Sequence, residues 1–178
     1  MPPATQSPAT ATLQSELQML VFTVSGEEFA FPLMDVREII KAMPVTDVPS
    51  TPHFLKGILN LRGTVVSVAD AGELLGLPAT ENAKQHIIIA DDTKTGTVGL
   101  LVETVTGVVR APASSLKKAP ELLSAKEAAA SVKGAVIVGQ GGGEVAERRD
   151  RHDTANKDDA RLILLLDLPC VIARMSHP

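Results

Sequence analysis

Short apolar runs, each closed within a few residues by glycine, proline or a polar pair, dominate this chain, and hardly any stretch keeps a helical period over several turns. That cadence constrains the fold more than any single residue does. "LQMLVFTVSGEEFAFPL" predicts two strands around a turn at Ser25-Gly26-Glu27. "MDVREIIK" reads as a strand, because Val36, Glu38 and Ile40 then share one face at period two. The two prolines of "VPSTPHFLKGILNL" stop that strand and start a tight loop or short helix. "GTVVSVAD" is a strand, and "AGELLGLP" a helical turn ended by Gly76 and Pro78. "HIIIADDTKTGTVGLLVETV" is the cleanest hairpin, and "GVVRAP" another strand. "ASSLKKAPELLSAKEAAASV" mixes helix formers with loop, and "KGAVIVG" and "RLILLLDL" form a longer-range pair. The expected class is all-β, a barrel or sandwich architecture with short helices.

The 178 residues suit one domain, or two small subdomains packed intimately together. Residues 1–16, rich in Pro, Ala and Thr, are expected to form a disordered tail, with order beginning at Leu17 and running to about residue 175. Glycine and alternating charge at about 139–160 predict a solvated, flexible insertion between the last two strands. Hydrophobic residues make up 44% of the chain, enough for a sizeable core, yet aromatics are only 2%, with no Trp or Tyr. Base or sugar stacking usually needs aromatic faces, and a phosphate backbone needs a basic stripe; a net charge of −4 supplies neither. The N-terminus lacks the basic-then-apolar pattern of a secretory signal. No apolar run reaches the roughly 20 residues that span a bilayer. The longest, "LILLLDLPCVIA", is broken by Asp167 and Pro169, so a soluble, cytoplasmic protein is expected. The single cysteine, Cys170, cannot form an internal disulfide and reads as a small apolar residue.

Fragments suggestive of catalysis fail on context. Lys94-Thr95-Gly96 and Ser114-Ser115-Leu116-Lys117 resemble pieces of serine acyl-transfer enzymes, but they occur in the wrong order and without the third piece. "TKTGT" has Thr93 where an aspartyl-phosphate loop needs aspartate, and "GQGGGE" lacks the Gly-Lys-Ser/Thr ending of a phosphate cradle. Asp91 and Asp92 suit a hairpin turn, and Asp158 and Asp159 the solvated insertion. His53, His86, His152 and His177 show no ligand spacing. The expectation is no catalytic residue, no metal and no cofactor.

The opposite signal is charge embedded in apolar strands: Glu38 in "DVREII" and Arg62 in "LNLRGT". A lone buried charge is costly, so each is exposed or paired. On neighbouring strands the two could form a bidentate pair. Such a pair either ties strands together or forms the polar centre of a docking patch, with aliphatic neighbours such as Val36.

On "LVFTVSGEEFAFPLMDVREI", "TPHFLKGILNLRGTVVSVAD" and "TVGLLVETVTGVV" the chain resembles the CheW family, the coupling proteins of bacterial chemosensory arrays. The resemblance runs over about 17–172, and its most specific piece is Lys56 to Gly63, where Gly57 and Gly63 bracket a strand that needs tight turns or close backbone approach. It implies two five-stranded SH3-like β-barrels packed over a shared core, and a non-catalytic adaptor. The implied partners are the regulatory domain of a CheA-type histidine kinase and the cytoplasmic tip of chemoreceptors, the latter held in an apolar groove between the barrels. The resemblance places the family's Glu–Arg pair on Glu38 and Arg62, with Val36, Lys56 and Gly57 beside it. It puts further partner contacts at Gly99, Val105 and Val108. Family members commonly continue into Pro-Val-Ile-Asp-Leu-Arg; here Ser67, Ala71 and Gly72 replace the proline, leucine and arginine, while Asp70 is kept. That departure and the long insertion raise the alternative of an accessory protein for pilus motility or surface sensing. A small-ligand-binding barrel is a further alternative.

Overall fold

A computed structural model describes residues 16–78, 83–92, 96–118, 130–139 and 160–176. Residues 1–15 of the tail expected over 1–16, residues 140–159 of the insertion expected over about 139–160, and Lys94 and Thr95 lie outside the described residues.

Alternating burial turns the predicted runs into strands. β1 (Glu16–Val24) and β2 (Glu27–Pro32) form the first hairpin, their aromatic side chains Phe22, Phe29 and Phe31 fully buried. Glu16 is already part of β1, paired with Pro112. A single 3-10 turn at Leu33–Asp35 leads into β3 (Val36–Lys41), where Val36, Glu38 and Ile40 alternate with more exposed neighbours as the period predicts. β4 (Leu55–Leu61) and β5 (Thr64–Asp70) make the second hairpin. The helical turn α1 (Ala71–Leu74) follows, with Asp70 as its N-cap, its carboxylate accepting from Gly72 N and Glu73 N. β6 (His86–Asp92) and β7 (Gly96–Val102) are the expected hairpin. β8 (Thr104–Pro112), a 3-10 turn at Ala113–Ser115, and the two-residue β9 (Leu116–Lys117) come next. β10 (Val132–Val138) and β11 (Arg161–Leu166) pair antiparallel, again as expected.

These strands make two sheets, ordered β8-β1-β2-β11-β10-β9 and β3-β6-β7-β5-β4. The first has six strands where five were expected, since β9 adds a short edge to β10. The split matches two SH3-like barrels, here barrel 1 and barrel 2. Barrel 2 is drawn closed where the chain after β3 reaches β4: Thr46 and Ile58 exchange backbone hydrogen bonds of 2.8 and 2.9 Å.

Apolar side chains sort into three clusters. Met19, Val21, Ala30, Val136, Ile163 and Leu165 fill barrel 1, while Leu59, Val66, Val68, Ile87 and Ile89 fill barrel 2. The largest lies between them, where Phe22, Phe29 and Phe31 of barrel 1 meet Ile88, Leu100 and Val102 of barrel 2. Each large side chain buried there contributes ~1.5–3 kcal/mol, so the two barrels form one cooperative unit.

A helix the sequence reading missed, α2 (Leu168–Ser176), packs on the same shared cluster. Pro169 interrupts the apolar run without stopping the helix, since proline is tolerated in a helix's first turn, where its missing N–H has no partner anyway. Leu168, Val171 and Ile172 turn inward at helical spacing, and Pro169, Cys170 and Ala173 face solvent. Cys170 is therefore exposed and does not pack as a small apolar residue.

Candidate partner-docking site

Arg62 sits at the tip of the β4–β5 hairpin, in a two-residue turn closed by Leu61 and Thr64. Both turn residues have positive φ, 51° at Arg62 and 88° at Gly63, the combination a type I′ turn requires. Glycine takes that conformation freely, whereas a side chain such as arginine is strained there. The Asn60 side chain holds the turn, its Oδ1 accepting from Gly63 N at 2.7 Å. The result is a rigid perch: the Arg62 side chain is 81% exposed.

Glu38 approaches from β3. Its Oε2 lies 3.4 Å from Arg62 Nη2, with the Glu38 side chain only 22% exposed. The two do pair, but not in the bidentate form that neighbouring strands would allow. β3 and β4 are the opposite edges of the five-stranded sheet, and curling of that sheet brings them together. The contact is one long N···O approach, so most guanidinium donors face solvent. An exposed pair of this kind contributes about 0–1 kcal/mol, too little to explain an arginine held in a strained turn.

The other sequence-chosen residues do not all gather here. Val36, half-buried, opens β3 and packs on the shared core. Lys56 stands at the far end of β4, roughly 20 Å along the strand from Arg62. Its Nζ is held by both carboxylate oxygens of Glu73 at 2.7 Å and by the His53 carbonyl at 3.1 Å. Gly57 is buried with φ 139°, and a Cβ there would run into the Thr46 carbonyl oxygen. Gly99 is buried too, and a Cβ on it would press on Ile87 and Val68 at 3.0 and 3.2 Å. These two glycines act in packing: one closes the barrel seam and the other lets β7 nest in the barrel. Val105 and Val108 lie on β8 in the other sheet, half-buried against the shared core.

Sequence reasoning did not single out the exposed aliphatics of barrel 2. Val65 is 62% exposed and pairs with Asn60 just behind the Arg62 turn; Met34, Ile39 and Met43 are also exposed. A period-two reading of "GTVVSV" would have turned Val65 outward opposite Val66. Asp91 and Asp92 end β6 instead of making its turn, and the Asp91 carboxylate accepts from Thr97 Oγ1 at 2.7 Å and lies 3.5 Å from Arg37. Among the described residues no group of His, Cys, Asp and Glu could hold a metal ion.

A family model described as the CheW-like domain matches residues 18–175. The chain is 34% identical over 107 residues to the chemotaxis protein CheW of Rhizobium meliloti, covering 60% of this chain and 69% of that protein. It is 33% identical over 112 residues to the chemotaxis protein CheW of Bacillus subtilis, covering 63% and 72%. Among solved structures, the scaffolding protein TtCheW from Thermoanaerobacter tengcongensis aligns with a TM-score of 0.67. That alignment covers 86% of this chain and 90% of its own at 24% identity, a likeness of fold.

Proposed function

Because the chain belongs to the CheW-like family, we propose that it is the coupling adaptor between chemoreceptors and a CheA-type histidine kinase. A non-catalytic coupling role in chemotaxis follows from family membership. The partners and the surfaces they meet are the proposed part. The observation that carries the docking surface is Arg62: an 81% exposed guanidinium on a strained, pinned hairpin tip, facing a half-screened carboxylate. Its outward donors suit a carboxylate or backbone carbonyls on the partner, and exposed Val65 beside the turn adds an apolar contact.

In this reading a barrel of the kinase regulatory domain docks on Glu38, Arg62 and the adjoining strand, with Val36 supporting β3 from beneath. The receptor tip lies between the barrels, where Val105 and Val108 edge the shared core. Lys56 holds α1 through Glu73 and acts on that surface from the side. No helix among the described residues is long and apolar enough to cross a membrane, and a cytoplasmic location belongs to the proposal.

Charge reversal tests it. Arg62→Glu is expected to weaken binding of the kinase regulatory domain by roughly tenfold or more in titration calorimetry, with the melting temperature nearly unchanged. Glu38→Arg should behave alike. Full-strength binding by both variants, or loss of folding in both, would overturn the assignment.

A further inference from the structure

Where the two barrels meet, three ionisable side chains far apart in sequence converge. Lys84, which precedes β6, places its Nζ 3.9 Å from Asp70 Oδ1 and 3.8 Å from Glu103 Oε1. The side chains are 19%, 11% and 4% exposed. Glu103 is the residue between β7 and β8, where the chain crosses from barrel 2 to barrel 1. Its Oε1 also accepts from Ser25 N at 2.9 Å, so it grips the tip of the β1–β2 hairpin of barrel 1. Asp70 caps α1 of barrel 2 with the oxygen that faces Lys84. Ser25 Oγ adds a 2.8 Å bond to the Pro78 carbonyl, and Glu103 N one of 3.2 Å to the Thr23 carbonyl.

The substituted helix start fits this junction. A Cβ at Gly72 would stand 3.3 Å from Asp70 Oδ1 and in ordinary contact with Ser25 Oγ at 3.5 Å and Val24 at 3.6 Å, and Ala71 is fully buried. A side chain at 72 longer than alanine's would have to make way for the barrel 1 hairpin at Ser25 and Val24.

Apolar contact between the barrels is strong but non-directional. The ionic cluster is directional: rotating one barrel on the other draws Ser25 N–H off Glu103 and leaves a buried carboxylate short of a partner. Lys84 is also what allows two carboxylates to share so small a space, since without it they repel and the relief is to move apart.

We propose that Lys84 is a positioning residue that, from between Asp70 and Glu103, fixes the angle at which barrel 2 presents Arg62 relative to barrel 1. Adhesion between the barrels is left to the shared apolar core. The proposal does not depend on which partners bind.

The test uses the full chain carrying Cys170→Ser, with spin labels at Ile137 in barrel 1 and Val65 in barrel 2, both exposed. Pulsed electron–electron distance measurement should give one narrow distribution for Lys84 and for Lys84→Arg. Lys84→Met should broaden it or add a second distance, and Ser25 amide exchange should quicken by roughly tenfold. Lys84→Gln keeps a polar tip and serves if Lys84→Met does not fold. Unchanged distances in the folded variant overturn the proposal. Unfolding of both variants overturns it too, because the cluster would then be a condition of folding and not of orientation.

Discussion

The two barrels each carry a hairpin closed by the same kind of turn, and they use it in opposite ways. Ser25-Gly26 in barrel 1 has φ values of 52° and 78°; Arg62-Gly63 in barrel 2 has 51° and 88°. Each joins its strands by two residues, Val24 to Glu27 and Leu61 to Thr64. Beyond the backbone the likeness ends. Ser25 is held at both its N–H and its hydroxyl by Glu103 and Pro78, so its hairpin is locked into the junction. Arg62 is tied only loosely to Glu38, and its hairpin points outward. One turn geometry thus serves as a latch in one barrel and a perch in the other, and the environment, not the turn, decides which.

If barrel 2 must be closed for the perch to exist, opening its seam should have the largest effect. Gly57→Ala demands a side chain at φ 139° and against the Thr46 carbonyl. The expected loss is roughly 3 kcal/mol or more of unfolding free energy in a denaturant titration, because the obstruction is backbone and cannot turn aside. A near-normal midpoint would mean the seam opens without consequence and that Arg62 is not held by closure.

Next comes the latch. Glu103→Ala removes the acceptor of Ser25 N–H and one of the two carboxylates that hold Lys84. A loss of about 1–3 kcal/mol is expected, since a half-buried donor loses its acceptor and a half-buried ammonium keeps only Asp70. Ser25→Ala, which removes only the hydroxyl bond to Pro78, should lose no more than about 1 kcal/mol. Equal effects from the two would erase the distinction between carboxylate latch and ordinary turn.

How much of this was legible in the sequence follows from range. Ser-Gly and Arg-Gly between apolar runs announce two tight hairpins locally, and the β-branched runs announce their strands. The family motif carried Glu38 and Arg62. Their meeting is a different matter: it depends on β3 and β4 becoming the two edges of one curled sheet, which no local pattern encodes. Lys84, Asp70 and Glu103 stand in three unrelated segments, so their convergence had no sequence signal at all. α2 was missed for a local reason: Pro169 interrupts the apolar run, yet it stands in the first turn of a helix and does not stop it. Gly57 carries a local signal as well as the resemblance's partner contact: as a glycine at the start of its strand it suits close backbone approach, and the Thr46 carbonyl stands where its Cβ would be. Nothing local in the sequence marks Gly99, whose Cβ would press on Ile87 and Val68.

The smallest expected effect has the opposite sign. Arg62→Gly leaves the hairpin with two glycines at its positive-φ positions and removes an ion pair with little net value at an 81% exposed side chain. Relief of the left-handed strain should raise stability, by up to about 1 kcal/mol after the flexibility gained by the unfolded chain is set against it. Binding of the kinase regulatory domain should fall at the same time, because the presented guanidinium is gone. Matching the chemical-denaturation midpoint with the binding isotherm of the one variant separates the two roles cleanly. A perch kept for docking gives a chain at least as stable and a weaker binder. Loss of stability with binding intact would instead place Arg62 among the seam's structural ties, as much a latch as Ser25.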